Sequence, residues 1–217
     1  MNVQSELGKK VDTEKQILIG TIALAVVLVL VTAFQPWIDP RWLYMDTQTV
    51  GELSGDCCHV YDGAMSLLGI MIWAATSALS VLAGLVYLRR SDRKAALFAV
   101  HAALVAAFLA LDDAYLLHEI VLPQLGIPQT IVIGLHGGII LSYLWLQRAF
   151  MGAPYRWLLG LALFAFAVSV GVDQLFHSIL PIWIVVEDGP KFIGIVCWFL
   201  LHLMIHTERL ARMPASQ

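Results

Sequence analysis

Six long apolar stretches limit this chain more than any other feature. They cover 17–34, 64–88, 95–120, 129–147, 157–180 and 191–206. A helix needs about 20 apolar residues to cross the hydrocarbon core of a bilayer. In lipid the backbone must satisfy its own N–H and C=O groups, so stretches of this kind span as helices. Composition agrees: 59% of residues are hydrophobic and 13% charged, with a mean hydropathy of +0.79. A soluble domain is about half apolar and a quarter charged. The sequence therefore predicts an all-α, polytopic membrane protein, a bundle of six transmembrane helices. Residues 1–16 form a cytoplasmic tail, 17–206 a single membrane domain with an outer loop at 35–63, and 207–217 a second cytoplasmic tail.

Charge sets the orientation. With the amino terminus inside, Lys9, Lys10, Lys15, Arg89, Arg90, Arg93, Lys94, Arg148, Arg156, Arg209 and Arg212 all fall on the inner side. Only Arg41 and Lys191 fall outside. That bias obeys the positive-inside rule and puts both termini in the cytoplasm of a bacterial-type inner (plasma) membrane. The first apolar run is long for a signal peptide, and no A-x-A-like site follows it, so it reads as an uncleaved helix. Net charge is −3, with no block of Lys or Arg, which points away from nucleic acid and leaves membrane lipids as the partner. Three cysteines exclude a disulfide-rich scaffold. Ala74-Ala75, Ala102-Ala103, Ala106-Ala107 and Gly134…Gly137-Gly138 are expected helix contacts, because small residues let helices approach.

Ionisable groups within such helices are costly and mark function by default. The densest group is Asp112-Asp113-Ala114-Tyr115-Leu116-Leu117-His118-Glu119, closing the third stretch on the outer side. On a continuous helix Asp112, Tyr115 and Glu119 share a face. His136 lies about two turns into the fourth stretch. Ser169, Asp173 and His177 form a stripe in the fifth, and Glu187-Asp188 with Lys191 open the sixth. All lie at a similar depth by counting, so they predict one outward-facing acidic and histidine-lined cavity. Facing carboxylates and imidazoles are how helix bundles build metal sites. His118, Asp173, His177 and Glu187 are the expected ligands of a divalent metal, Zn, Mn or Fe. Asp112, Asp113 and Glu119 are the expected catalytic carboxylates, because burial lifts a carboxyl pKa toward the range of a general base.

Each residue also has a plainer reading. Glu187 and Asp188 complement a helix dipole in a first turn, and Glu187 pairs with Lys191. His118 and Glu119 end a helix among headgroups. Asp173 and His177 form one buried hydrogen-bonded pair. Cys57, Cys58 and His59 are ordinary loop residues, or a vicinal disulfide or metal site on the oxidising side. On the inner side, His101, His202 and His206 lie at comparable depth; three histidines suit Zn, while His206 also suits a helix cap and His101 a hydrogen bond to a neighbouring helix.

His101 and Asp112 with His202-x-x-x-His206 resemble in part the CREST membrane hydrolases, which include the alkaline ceramidases. The resemblance implies Zn on the three histidines, with a Ser and an Asp completing the site. The chain departs from that pattern: Leu97 stands where the family has Ser, six helices replace seven, and Asp112 is about 16 Å along the helix from His101. The layout Tyr61-Asp62-Gly63…Ser66, Asp112-Asp113…His118-Glu119, Asp173 and Glu187-Asp188…Lys191…Gly194 resembles uncharacterised bacterial multi-pass membrane proteins, and that likeness implies no reaction. Three functions are thus expected alternatives: a metal-dependent hydrolase or transferase on a lipid or lipid-linked substrate, an ion- or proton-coupled transporter, and a non-catalytic subunit of a membrane complex.

Overall fold

The computed structural model describes residues 3–55, 59–176 and 180–213. Every regular element among them is helical. In order they are α1 (Val3–Phe34), α2 (Pro40–Tyr44), α3 (Thr47–Ser54), α4 (Ala64–Arg89), α5 (Arg93–Tyr115), a π-turn (Leu117–Val121), α6 (Leu122–Gln124), α7 (Gln129–Leu146), a short 3-10 turn (Ala153–Tyr155), α8 (Arg156–Phe176) and α9 (Pro181–Ala211). Five are long and apolar enough to cross a membrane: α4, α5, α7, α8 and the Thr13–Phe34 part of α1. The sixth apolar stretch, 191–206, lies inside α9, which begins ten residues earlier than expected. Glu187 and Asp188 are therefore past the first turn, with Pro190 accommodated within the helix.

The helices sort into two compact units. The first is Met1–Ala64 with Ala162–Cys197, the second Met65–Leu161 with Trp198–Gln217. In the first unit the described part of the connection from α1 to α4 is folded rather than loose. Asp39 caps α2 ahead of Pro40, its carboxylate accepting the Arg41 N–H at 3.0 Å. Asp46 caps α3 by accepting from Gln48 and Thr49 at 2.9 Å each. Tyr44 ties the loop to α1, donating to the Val29 carbonyl at 3.0 Å with Thr32 Oγ1 2.7 Å away. Gly63 closes the loop at φ +68, and its N–H reaches the Trp42 carbonyl at 2.7 Å. A Cβ there would sit 3.0 Å from the Thr47 side chain and 3.1 Å from the Met45 carbonyl, so both space and the positive φ favour glycine.

In the second unit α4 and α5 form a tight hairpin. Ala83, Tyr87, Ala95, Ala96 and Ala99 are its buried core, with Phe150, Leu210 and Met213 packed against them. A Cβ on Gly84 would lie 3.4 Å from Ala99 Cβ. Ser77 Oγ donates to the Ala103 carbonyl at 3.0 Å, a cross-helix bond of the kind that holds membrane helices together. The expected alanine contacts at 102, 103 and 106 are buried. Those at Ala74 and Ala75 are exposed, and Gly134, Gly137 and Gly138 have nothing within 4 Å of where a Cβ would stand. Small residues permit close approach; they do not compel it.

Candidate functional site

The third apolar stretch does not run to residue 120 as one helix. It stops at Tyr115, because Leu116 turns left-handed at φ 51. The Leu116 N–H still bonds the Asp112 carbonyl, and the chain then winds through the π-turn to Pro123 and a left-handed Gly126 at φ +89. Pro128 leads into α7. Glu119 consequently leaves the α5 face that it was expected to share with Asp112 and Tyr115.

This break builds the site. The turn folds residue 118 back onto α5, so that the His118 N–H donates to Asp112 Oδ1 at 3.1 Å. His118 Nδ1 lies 2.5 Å from Asp112 Oδ2. From α7, His136 Nε2 approaches Asp112 Oδ1 at 3.2 Å. His136 Nδ1 lies 2.6 Å from the Val132 carbonyl, which can only accept, so Nδ1 carries the proton. The Phe108 ring flanks His136 at 4.8 Å, and the two imidazoles meet edge to face at 5.8 Å. His118 Nε2 is 3.3 Å from Glu119 Oε1. Asp112 is 3% exposed, whereas the Glu119 side chain is 41% exposed. A buried carboxylate thus stands between two imidazoles, with a second carboxylate on the open side.

A second polar rung joins the same two helices eleven residues away, with His101 before Asp112 on α5 and Gln147 after His136 at the end of α7. There Gln147 Nε2 lies 2.5 Å from His101 Nδ1. That spacing is about three turns, or roughly 16 Å, and keeps both rungs on one face. His101 does bond a neighbouring helix, as one reading expected. His202 and His206 are fully buried. His202 Nδ1 meets the Trp198 carbonyl at 2.8 Å and Nε2 the Tyr143 hydroxyl at 2.8 Å. His206 Nδ1 meets Tyr87 Oη at 3.1 Å and Nε2 meets Ser80 Oγ at 3.3 Å. Hydroxyls and a carbonyl thus meet the ring nitrogens of both His202 and His206.

Of the seven expected site residues, Asp112, Asp113, His118 and Glu119 belong to the second unit, with Asp113 half-buried on α5. Asp173 and Glu187 belong to the first. Asp173 is half-buried on α8 and accepts from Gln174 Nε2 at 2.8 Å. His177 lies outside the described residues, as do Cys57 and Cys58. Among the described residues no three His, Cys, Asp or Glu side chains form a group able to hold a metal ion. His136 is the addition. Its depth in an apolar helix was visible in the sequence, but its partner was not.

Residues 21–205 match a family described as a domain of unknown function, DUF8692. The chain belongs to that family. No curated protein and no solved structure matches it. The DUF8692 match takes in both rungs and all seven expected site residues.

Proposed function

We propose that this DUF8692 protein is a six-span enzyme of a bacterial-type inner membrane, with both termini inside. It acts as a hydrolase or transferase on a lipid or lipid-linked substrate at the outer leaflet. The observation that carries the reading is the 2.5 Å contact between Asp112 Oδ2 and His118 Nδ1. A buried carboxylate on Nδ1 fixes the imidazole tautomer and steadies the imidazolium that forms when Nε2 takes a proton. His118 is then the general base, and Asp112 orients it rather than taking the proton itself. Glu119 stands beside Nε2 on the open side, and Asp113 follows Asp112 in sequence. Asp173, His177 and Glu187 stay in the proposal as donors to a divalent metal (Zn, Mn or Fe), which would polarise a carbonyl or phosphoryl oxygen.

The test uses the native host with its own copy deleted. Wild-type, Asp112→Asn and His118→Ala copies are compared at matched membrane abundance, with lipids profiled by mass spectrometry. Both variants should behave as the deletion. Variants equal to wild type at matched abundance refute the reading, and variants that act only by lowering abundance favour a non-catalytic subunit. The transporter alternative draws on one observation, the two polar rungs at opposite ends of the α5–α7 seam. Intramembrane acids and histidines also make ion routes. Proteoliposome flux lost in both Asp112→Asn and His101→Ala, one from each rung, would favour it.

A further inference from the structure

Asp112 and His136 carry a feature that the Asp112–His118 pair does not explain. The single ring proton of neutral His136 is taken up at Nδ1 by the Val132 carbonyl. Nε2 is then a lone pair, and it faces a carboxylate oxygen 3.2 Å away. The approach lacks hydrogen-bond geometry, so among the described residues this buried nitrogen has no hydrogen-bond partner. Two electron-rich atoms held face to face in a membrane interior repel unless a positive centre lies between them; a second ring proton on Nε2 would make an ion pair with Asp112, but in this geometry it would not point at the carboxylate.

The geometry points to a divalent transition-metal cation seated between His136 Nε2 and Asp112 Oδ1. An ion about 2.1 Å from each atom, the usual ligand distance, would see them at an angle of roughly 100°, between the tetrahedral and octahedral values. The groups behind each ligand also fit. A ligating histidine almost always donates its other N–H to a carbonyl or carboxylate, and ligating carboxylates are themselves hydrogen-bonded. Val132 serves His136 in this way, and His118 serves Asp112 through its N–H at 3.1 Å and its Nδ1 at 2.5 Å. Two protein ligands, one fewer than the usual catalytic zinc site has, leave the other positions to water or to an oxygen of the substrate. The nitrogen ligand favours Zn or Mn over Ca or Mg. This seat differs from the one expected at Asp173, His177 and Glu187. It rests on the enzyme reading only for its purpose; binding itself is independent of turnover.

The experiment is metal content and metal binding of the full chain purified in detergent, stripped with chelator and titrated with Zn²⁺ and with Mn²⁺. Wild type should take up one equivalent. His136→Gln and Asp112→Asn should lose it while keeping wild-type helical content and a monodisperse profile, and Asp173→Ala should keep it. His118→Ala, which removes support from behind Asp112, should bind about 10–100-fold more weakly. Wild type that binds neither ion overturns the inference. So does uptake that survives His136→Gln, or uptake lost in Asp173→Ala alone. If the ion binds as described but His118→Ala shows no lipid phenotype, the enzyme reading fails and the seat stands. The reverse pattern fails the seat and leaves the enzyme reading intact.

Discussion

His202 is fully buried, and its Nδ1 faces the Trp198 carbonyl. A carbonyl only accepts, so Nδ1 carries the proton and Nε2 must accept from the Tyr143 hydroxyl. Tyr143→Phe would leave that nitrogen buried and unsatisfied. Such an orphan costs about 1–3 kcal/mol in soluble cores, and interhelical bonds in membrane bundles average about 0.6 kcal/mol. We expect Tyr143→Phe to lower stability by about 1 kcal/mol, read from denaturant unfolding in detergent; an unchanged midpoint would show that the contact contributes nothing. The sequence offered His202 only as a zinc ligand beside His101 and His206, and nothing in it pointed to a hydroxyl. Tyr143 is 59 positions away, and no local pattern links the two.

Helix α5 shows what makes an element begin and end where it does. Asp92 starts it, accepting the Ala95 N–H at 3.1 Å, and also receives the Arg209 guanidinium at 2.6 Å. Arg209 and the Ala95 N–H hold the Asp92 carboxyl below the usual carboxylate range. The unfolded chain therefore binds the Asp92 proton more readily than the folded one. This contribution to stability is fully present above the ordinary carboxyl pKa of about 3.9 and is lost as pH falls through the depressed folded value. Asp92→Ala should cost about 1 kcal/mol at neutral pH, a typical N-cap loss. The wild-type advantage should shrink below about pH 4; an advantage that persists at pH 2 would rule out the carboxylate as its source. The start of α5 was legible to within two residues, since the expected apolar stretch opens at Ala95 and the helix at Arg93. The end was not. Leucine has no tendency to turn left-handed, and only the contacts around Leu116 and His118 hold that break.

On the scale of the whole molecule, five helices suit a membrane by length and composition. The proposed six-span topology, with eleven of the thirteen Lys and Arg inside, predicts that reporters fused at either terminus are active only on the cytoplasmic side. A periplasmically active reporter at the carboxyl end would reduce the spans to an odd number. The apolar stretches were readable because hydrophobic length is a one-dimensional property, written residue by residue. By itself the sequence determined an all-helical chain with several membrane-length helices and a cluster of ionisable groups at Asp112–Glu119. Only the tertiary structure decided that α5 breaks at Leu116, that His118 folds back onto Asp112, and that His136 of α7 arrives from the other side. Those contacts depend on which helix faces meet and in what register, and packing of the assembled second unit sets both.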